Sequence, residues 1–239
     1  MRRSLWTKII IQSLIATCLG CQTLQNANAP KETPPSTASP ASPKESLPLP
    51  SVPSSSPQSG YLPLSWENTT EPHPERKAWS LALSTMLDGT IQTYLSAKDI
   101  ELFCPKIKSL DKQKQIKDIA EMWVAIGYYE SGYDPNSQSV DVGSKDDKDS
   151  WSIGLMQMSV TDQESYGIEM GLDFKKLLMP ENNIKLALAI MKQQIQKYGV
   201  IAIPLGGKGL YWATIHPGGS YDETQNIIKR AKDKTGFCQ

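Results

Sequence analysis

The sequence has little of the chemistry on which metal enzymes and serine hydrolases depend. Only 2 histidines occur in 239 residues, and neither His73 nor His216 has a partner at metal-ligand or nucleophile spacing. HExxH and Gly-x-Ser-x-Gly motifs do not occur in the sequence. We therefore expect no metal, no cofactor and no serine-hydrolase site.

Positive charge is not in excess either. Lys and Arg together number 25, as do Asp and Glu, so the formal net charge is zero. Residues 1–64 hold 5 basic and 2 acidic side chains, which leaves the rest of the chain with a net charge of −3. Because nucleic-acid-binding surfaces need a basic stripe, we expect no nucleic-acid partner.

Long apolar runs are missing too. The apolar stretch near the N-terminus, residues 9–19, is interrupted by Gln12 and Ser13 and is too short and polar to be a membrane span. Three basic residues precede it, which is the pattern of an export signal. Residues 1–21 are therefore predicted to be a signal peptide.

Two cleavage sites compete in this region. The stretch "CLGCQ" resembles a bacterial lipobox, in which Cys21 would be acylated and become the mature N-terminus. The stretch "NANAP" offers an Ala27-x-Ala29 site instead, but Pro30 follows it directly and disfavours signal cleavage. We favour the lipobox, which predicts an exported, periplasmic protein with a lipid anchor at Cys21 in the outer membrane.

The next segment cannot build a core. Between Pro30 and Leu64 lie 10 of the 17 prolines and 9 serines, with almost nothing apolar to bury. We therefore predict a Pro/Ser-rich linker over residues 22–64 and one folded domain over residues 65–239, which is long enough for a single core.

Cysteines are few, with 4 in the whole chain. Two of them, Cys18 and Cys21, lie in the signal region, so Cys104 and Cys238 remain in the domain. In an oxidising compartment the simplest state of a single pair is a disulfide. Two free thiols are the alternative.

Helical spacing dominates the domain, and no internal repeat is visible. A mainly α fold is predicted, with at most a small β-hairpin in the Gly-, Asp- and Ser-rich segment 132–154. The segment between Pro180 and Gly199 has helix start and stop signals. The apolar stripes of three predicted helices are Trp79, Leu83, Met86 and Leu87; Ile184, Leu188, Met191, Ile195 and Tyr198; and Ile227, Ile228 and Ala231.

A fourth apolar stripe leads to a carboxylate. The next helical step lands on Glu130, and Gly132 and Pro135 then end the helix. Burial and the negative end of a helix both disfavour the ionised form, so the pKa of Glu130 is predicted to be raised. A glutamic acid near neutrality can protonate a poor leaving group. The alternative is a helix-end side chain turned to solvent. The apolar members of the stripe are Ile116, Ile119, Trp123 and Ile126.

The segments around Glu130 resemble a family signature. "ESGYDPNS", "SIGLMQMS" and "LLMPENNIKLALAIMKQQIQKYG" follow one another along the chain. In this order they resemble the soluble-type lytic transglycosylases of bacteria (SLT domain), relatives of goose-type lysozyme. The positions that match are Glu130, Ser131, Tyr133, Pro135, Ser152, Gly154, Leu155, Met156, Gln157, Pro180, Asn183 and Ile184.

The resemblance implies a lysozyme-like fold whose cleft binds peptidoglycan glycan strands. Glu130 would protonate the oxygen between N-acetylmuramic acid and N-acetylglucosamine. It would then act as base on the muramyl C6 hydroxyl, which closes onto C1 and leaves a 1,6-anhydro end without consuming water.

Other matching residues are candidates for substrate binding. Ser131 and Ser152 could hydrogen-bond the acid or the sugar, and Gly154 would let the backbone approach the substrate closely. Gln157 offers a donor and an acceptor to an acetamido group. Packing is the alternative role for each of them. Met156 and Met158 more often line a core or cleft wall than take part in chemistry. Leu155 and Met156 complete the motif positions predicted to contact the substrate.

The third block of the family departs from its usual pattern. In place of Ala-Tyr-Asn the chain has "GLYWATIHPGG", so Tyr211 matches the tyrosine that supports the acid and Trp212 replaces the asparagine. This is similar to a less common branch with Tyr-Trp and a cysteine on each side of the domain, which would account for Cys104 and Cys238.

Two rival functions stay open. A glycan-binding envelope protein with little turnover is one. A lysozyme-like hydrolase is the other, and it would need a second carboxylate near Glu130; the nearby acids are Asp134, Asp141, Asp146, Asp147 and Asp149.

Aromatic side chains suit the apolar faces of sugars. The spacing of Trp123 indicates a core position instead. The aromatic candidates for the cleft are Tyr128, Tyr133, Trp151 and Trp212.

Overall fold

The computed structural model describes residues 61–69, 71–140, 146–202 and 210–238. The predicted signal peptide, the lipidation site Cys21 and most of the linker lie outside the described residues, as does Asp141. None of the described helices has the length and apolar character that a membrane span requires.

The described part of the chain is mainly helical. The helices are α1 (Arg76–Asp88), α2 (Ile91–Leu95), α3 (Ile100–Phe103), α4 (Lys112–Ser131), α5 (Asp162–Ser165), α6 (Phe174–Leu177), α7 (Pro180–Tyr198) and α8 (Thr224–Thr235). Two short strands, β1 (Gln138–Ser139) and β2 (Ser152–Ile153), pair antiparallel with Gln138 opposite Ile153. The predicted mainly α fold with a small hairpin is confirmed.

Helix α4 lies at the centre of the fold. It is buried on all sides from Asp118 to Gly127, so it is not an ordinary amphipathic surface helix. Helices α1, α2 and α8 pack against it. Trp123 is buried, as its spacing predicted, and its indole N–H donates to the Tyr94 hydroxyl at 3.0 Å.

The ends of the two long helices follow local signals. Asp111 caps α4 by accepting a hydrogen bond from the backbone N–H of Lys114 at 3.0 Å. Gly132, at φ +62°, ends α4, and Gly199, at φ +74°, ends α7. These backbone angles are in the left-handed region that favours glycine, so both predicted helix ends are confirmed.

Packing already begins just before the predicted domain boundary at residue 65. Leu64 and Trp66 are fully buried. The Glu121 carboxylate on α4 accepts hydrogen bonds from the Ser65 backbone N–H at 3.0 Å and hydroxyl at 2.6 Å. This contact fixes the start of the folded chain to the central helix.

The predicted disulfide is present. Cys104 follows α3 and Cys238 follows α8, with their Cα atoms 4.8 Å apart and a sequence separation of 134. The bond connects the segment that follows α3 to the segment that follows α8. Closing so long a loop lowers the conformational entropy of the unfolded chain. In the chain-entropy model this stabilises the folded state by about 4 to 5 kcal/mol.

Candidate active site

Glu130 lies in the last turn of α4, beside a cavity of about 630 Å³. The Thr214 hydroxyl, in the short 3-10 helix Ala213–Ile215, donates a hydrogen bond to the Glu130 carboxyl oxygen Oε1. The bond joins residues 84 apart in the sequence. It fixes one oxygen of the acid and leaves the other for a ligand in the cavity.

The pKa of Glu130 is raised to about 7. Burial is the larger cause, because low dielectric disfavours the charged carboxylate, and the hydrogen bond from Thr214 acts in the opposite direction. At neutral pH the Glu130 carboxyl is therefore protonated in a large fraction of the molecules. The group can donate that proton and then accept one, as a general acid and base must.

The wall of the cavity is rich in hydroxyl groups and aromatic rings. Hydroxyls of this kind can exchange hydrogen bonds with a sugar, and aromatic rings can pack on its apolar faces. The hydroxyl residues are Ser137, Ser139, Ser150, Ser152, Ser159 and Thr214. The aromatic residues are Tyr129, Tyr211, Tyr221 and Trp212.

Asn183, at the start of α7, holds the loop that carries the second motif. Its side-chain oxygen accepts from the Met156 backbone N–H at 2.7 Å, and its amide nitrogen donates to the carbonyl oxygens of Ile153 at 2.9 Å and Leu177 at 3.1 Å. The loop also closes on itself through two hydrogen bonds between Ile153 and Met158. Asn183 thus connects two sequence blocks that matched the family separately.

Gly154 is needed for this clamp, and its predicted close approach to the substrate stays a prediction. Its φ is +75°, and a Cβ at this position would lie 2.6 Å from the Asn183 amide nitrogen. Gly154 does not line the cavity. The structural reason for glycine is therefore the Asn183 side chain.

Ser131, Leu155 and Met156 are also placed away from the cavity lining. The Ser131 hydroxyl lies 2.9 Å from the Leu155 carbonyl oxygen and 3.1 Å from that of Gly127, so it ties α4 to the motif loop. The side chains of Leu155 and Met156 are fully buried. All three make packing contacts in the described structure, and their predicted contact with substrate stays a prediction.

Gln157 and Ser152 do line the cavity. The Gln157 amide nitrogen donates to the Gly154 carbonyl at 2.9 Å, so its amide oxygen is the side-chain group without a partner in the described structure. Gln157 has φ +51°, an uncommon angle for a residue with a side chain. Strain of this kind is concentrated at functional sites.

Tyr211 lines the cavity but binds a different carboxylate from the one predicted. Its hydroxyl donates to Asp162 Oδ2 and lies 3.4 Å from the Gln157 carbonyl oxygen. Asp162 Oδ2 also accepts from the Ser159 backbone N–H at 2.6 Å. Thr214, and not Tyr211, is therefore the residue that hydrogen-bonds Glu130.

Trp212, which replaces the usual asparagine, is a core residue at the edge of the cavity. It is 2% exposed. Its indole N–H donates to the Met156 carbonyl at 3.0 Å, and its ring meets Trp123 edge-on at 5.2 Å. Trp212 thus packs in the core and holds the motif loop through this hydrogen bond.

The remaining aromatic candidates lie outside the cavity wall. Tyr128 is exposed, Trp151 is half-buried, and Tyr133 is buried at φ +70°. Tyr129 lines the cavity instead, although no sequence pattern distinguishes it from its neighbour Tyr128.

Sequence reasoning also missed Asp162, which is the second carboxyl in the cavity wall. Among the acids named as partners for a hydrolase, those in the described residues do not line the cavity, and Asp141 lies outside them. Thr214 lies in the third block and Asp162 follows the second, but neither occupies a position of the family pattern, so only their positions in space identify them.

Comparison with known proteins agrees with this geometry. The family model "Transglycosylase SLT domain" matches residues 109–237, which is more than half of the chain. A search of curated proteins found no match.

Solved structures of one protein share the fold. DslA in a wild-type form is 25% identical with a TM-score of 0.60, and the match covers 73% of this chain and 96% of that one. A DslA mutant with a Glu-to-Gln substitution gives 0.59 at 24% identity, covering 73% of this chain and 97% of that one. The family acts on peptidoglycan as lytic transglycosylases. With its acid at the end of a buried helix and its motif loop clamped by Asn183, this chain belongs to the transglycosylase SLT domain family.

Proposed function

We propose that the protein is a peptidoglycan lytic transglycosylase that leaves 1,6-anhydromuramic acid ends and takes part in cell-wall remodelling. The observation that carries this proposal is the Glu130 carboxyl, whose pKa is raised to about 7 and which is fixed by Thr214 at the wall of a hydroxyl-rich cavity. A single group of this kind can perform both proton transfers.

The reaction uses Glu130 twice. Its carboxyl gives a proton to the bridging oxygen as the bond from that oxygen to the muramyl C1 breaks, and the N-acetylglucosamine side leaves as an alcohol. The muramyl C6 oxygen then forms a bond to C1, and its proton passes to the Glu130 carboxylate. The enzyme ends in its starting state, and water is neither consumed nor released.

Asp162 supports one competing reaction, hydrolysis assisted by a second carboxylate. Its Oδ2 already accepts two hydrogen bonds, from Ser159 and Tyr211, so it is better suited to holding Tyr211 than to activating water. This argument favours the anhydro product over a reducing end.

Product analysis tests the choice. Purified protein is incubated with sacculi, and the soluble fragments are analysed by mass spectrometry. Anhydro ends are expected, and Glu130→Gln serves as the inactive control. Reducing ends formed by the wild type and lost in Asp162→Asn would establish the hydrolase instead. Binding to sacculi without any release would favour the non-catalytic rival.

We also propose that the protein is exported and anchored in the outer membrane through Cys21. The disulfide between Cys104 and Cys238 supports an oxidising compartment. Cys21→Ser is expected to move the protein from the membrane fraction to the soluble fraction. Unchanged membrane retention would contradict the anchor.

A further inference from the structure

A second pocket, with a basic lining, adjoins the cavity of Glu130. Its volume is about 330 Å³, and Tyr129 lines both this basic pocket and the cavity. The two pockets are therefore neighbours that share the Tyr129 side chain. The other lining residues are Asn226, Lys229, Arg230, Asp233 and Lys234.

Two cations in the basic pocket lack a carboxylate partner within the described part of the chain. The Lys229 ammonium lies 2.5 Å from Asp233 Oδ2, so these two charges offset each other. No acidic group of the described residues lies within salt-bridge distance of Arg230 or Lys234. This local positive charge occurs in a chain whose residues after position 64 have a net charge of −3.

Arg230 is held in place before any ligand binds. Its guanidinium lies 4.0 Å from the centre of the Tyr128 ring, and its Nη2 donates to the Tyr133 hydroxyl at 3.1 Å. A guanidinium fixed in this way loses little side-chain freedom when it binds a carboxylate. The exposed ring of Tyr128 thus has a function in positioning Arg230.

Among the residues that the structure describes, the wall of the Glu130 cavity offers no positive charge to a ligand. Its described lining includes the carboxyls of Glu130 and Asp162 and contains no Lys, Arg or His. The basic pocket, which shares Tyr129 with the cavity, thus offers an anionic group on a bound glycan a positive charge that the described lining of the cavity does not.

We propose that the basic pocket binds the carboxylates of the short acidic peptide that peptidoglycan carries on its muramyl residues. This inference rests on the proposed function. It adds that the protein recognises glycan strands with their peptides attached, and that Arg230 and Lys234 supply the binding charge.

Lys234→Gln is the central test, because Lys234 is exposed and its replacement leaves the core unchanged. Lys192→Gln on α7 is the matched control, since Lys192 is also an exposed helical lysine and lies outside the pocket. Full-length proteins are compared on two soluble substrates from the same sacculi, glycan oligomers with peptides and oligomers stripped of peptides by an amidase.

The wild type is expected to have a KM about fivefold to tenfold lower for the peptide-bearing oligomers. Lys234→Gln should raise that KM to the value for stripped oligomers without changing kcat on either substrate, and Lys192→Gln should behave as the wild type. Arg230→Lys, which keeps the charge, should retain part of the preference. Equal KM values for both substrates in the wild type would overturn the proposal.

Calorimetry with the free acidic peptide, released by the amidase, separates this proposal from the proposed function. Binding that Lys234→Gln weakens would support the basic pocket even if neither oligomer were cleaved. Cleavage of both oligomers with no peptide binding would overturn the pocket and leave the enzyme intact. Binding to vesicles of anionic lipid in place of the peptide, lost in Lys234→Gln, would also overturn it.

Discussion

Helix α4 carries two carboxyls with raised pKa values, and only one of them meets a cavity. The pKa is raised to about 7 for Asp118 and for Glu130, with burial as the main cause in both. Asp118 is fully buried, its Oδ1 lies 3.0 Å from the Cys238 sulfur, and its Oδ2 has no partner in the described structure. Glu130 receives a hydrogen bond from Thr214 and lines the cavity. Burial alone can thus raise a pKa, whereas catalysis also needs access to a ligand.

The largest difference is expected between the activities of two amide variants, one at each carboxyl. Glu130→Gln is expected to slow the release of soluble fragments from sacculi by about 10²-fold to 10⁴-fold, because an amide cannot donate the proton. Asp118→Asn should leave the rate within about twofold, since Asp118 has no contact with the cavity. Circular dichroism confirms that both variants are folded. A folded Asp118→Asn protein without activity would contradict the claim that only Glu130 of the two takes part in catalysis.

The disulfide lies near Asp118 and far along α4 from Glu130. Its removal should lower the stability of the fold and leave the reaction at Glu130 unchanged. Cys104→Ser with Cys238→Ser is expected to lower the free energy of unfolding by about 3 to 5 kcal/mol, because a long loop is no longer closed in the unfolded chain. Urea denaturation measures this loss. The kcat of the folded variant should equal that of the wild type, and a large fall in kcat would show that the two ends are coupled.

The free energy of unfolding should fall as the pH rises, because both carboxyls have raised pKa values in the folded chain. Their ordinary pKa values are 3.8 for Asp118 and 4.5 for Glu130, against about 7 in the folded chain. Between these values the folded chain keeps a proton that the unfolded chain releases. The free energy of unfolding therefore falls by up to about 1.4 kcal/mol per pH unit for each group, and it levels off above about pH 7. The contribution of Glu130 is smaller, because its side chain is only partly buried and solvent screens its charge.

Urea unfolding from about pH 5 to pH 8 tests this linkage. Asp118→Asn should remove its share of the slope without any effect on activity. Glu130→Gln should remove its smaller share together with activity. A wild type whose stability is constant over this range would contradict the raised pKa values of both residues.

Thr214→Val should have the smallest effect on activity. It tests the hydrogen bond that only Glu130, the carboxyl open to the cavity, receives. The hydrogen bond from Thr214 lowers the pKa of Glu130, so its loss raises that pKa further. We expect kcat to fall about fivefold, as one hydrogen bond contributes about 1 kcal/mol. The alkaline limb of the pH profile should move to higher pH, and Thr214→Ser should restore both values. A fall in kcat with an unmoved limb would indicate a purely structural role.

Local signals were enough to predict much of the fold. The apolar spacing and the glycines after residues 131 and 198 predicted α4 and α7 with their C-terminal ends, because helix formation and termination depend on neighbouring residues. The same periodicity placed Glu130 on the buried stripe and left a side chain turned to solvent as the alternative, and the resemblance to the family then favoured the acid with a raised pKa. The single cysteine pair of the domain predicted the disulfide.

The wall of the cavity was predicted only in part. Glu130, Ser152, Gln157, Tyr211 and Trp212 line it, whereas the other motif residues pack beneath it. A motif records which residues occur together, and a residue that shapes the loop is as much a part of it as one that meets the ligand. Sequence alone could not separate these two roles.

The sequence by itself determined that an acid ends a central helix, that a Gly-containing loop and a Pro-started helix follow, and that one cysteine pair is available. Only the tertiary structure decided which carboxyl is open to a ligand, that Thr214 holds Glu130, and that Asp162 engages Tyr211. The physical reason is that helices and turns depend on contacts between near neighbours. A cavity, in contrast, depends on side chains such as Glu130 and Thr214, which are 84 residues apart and meet only after the chain has packed.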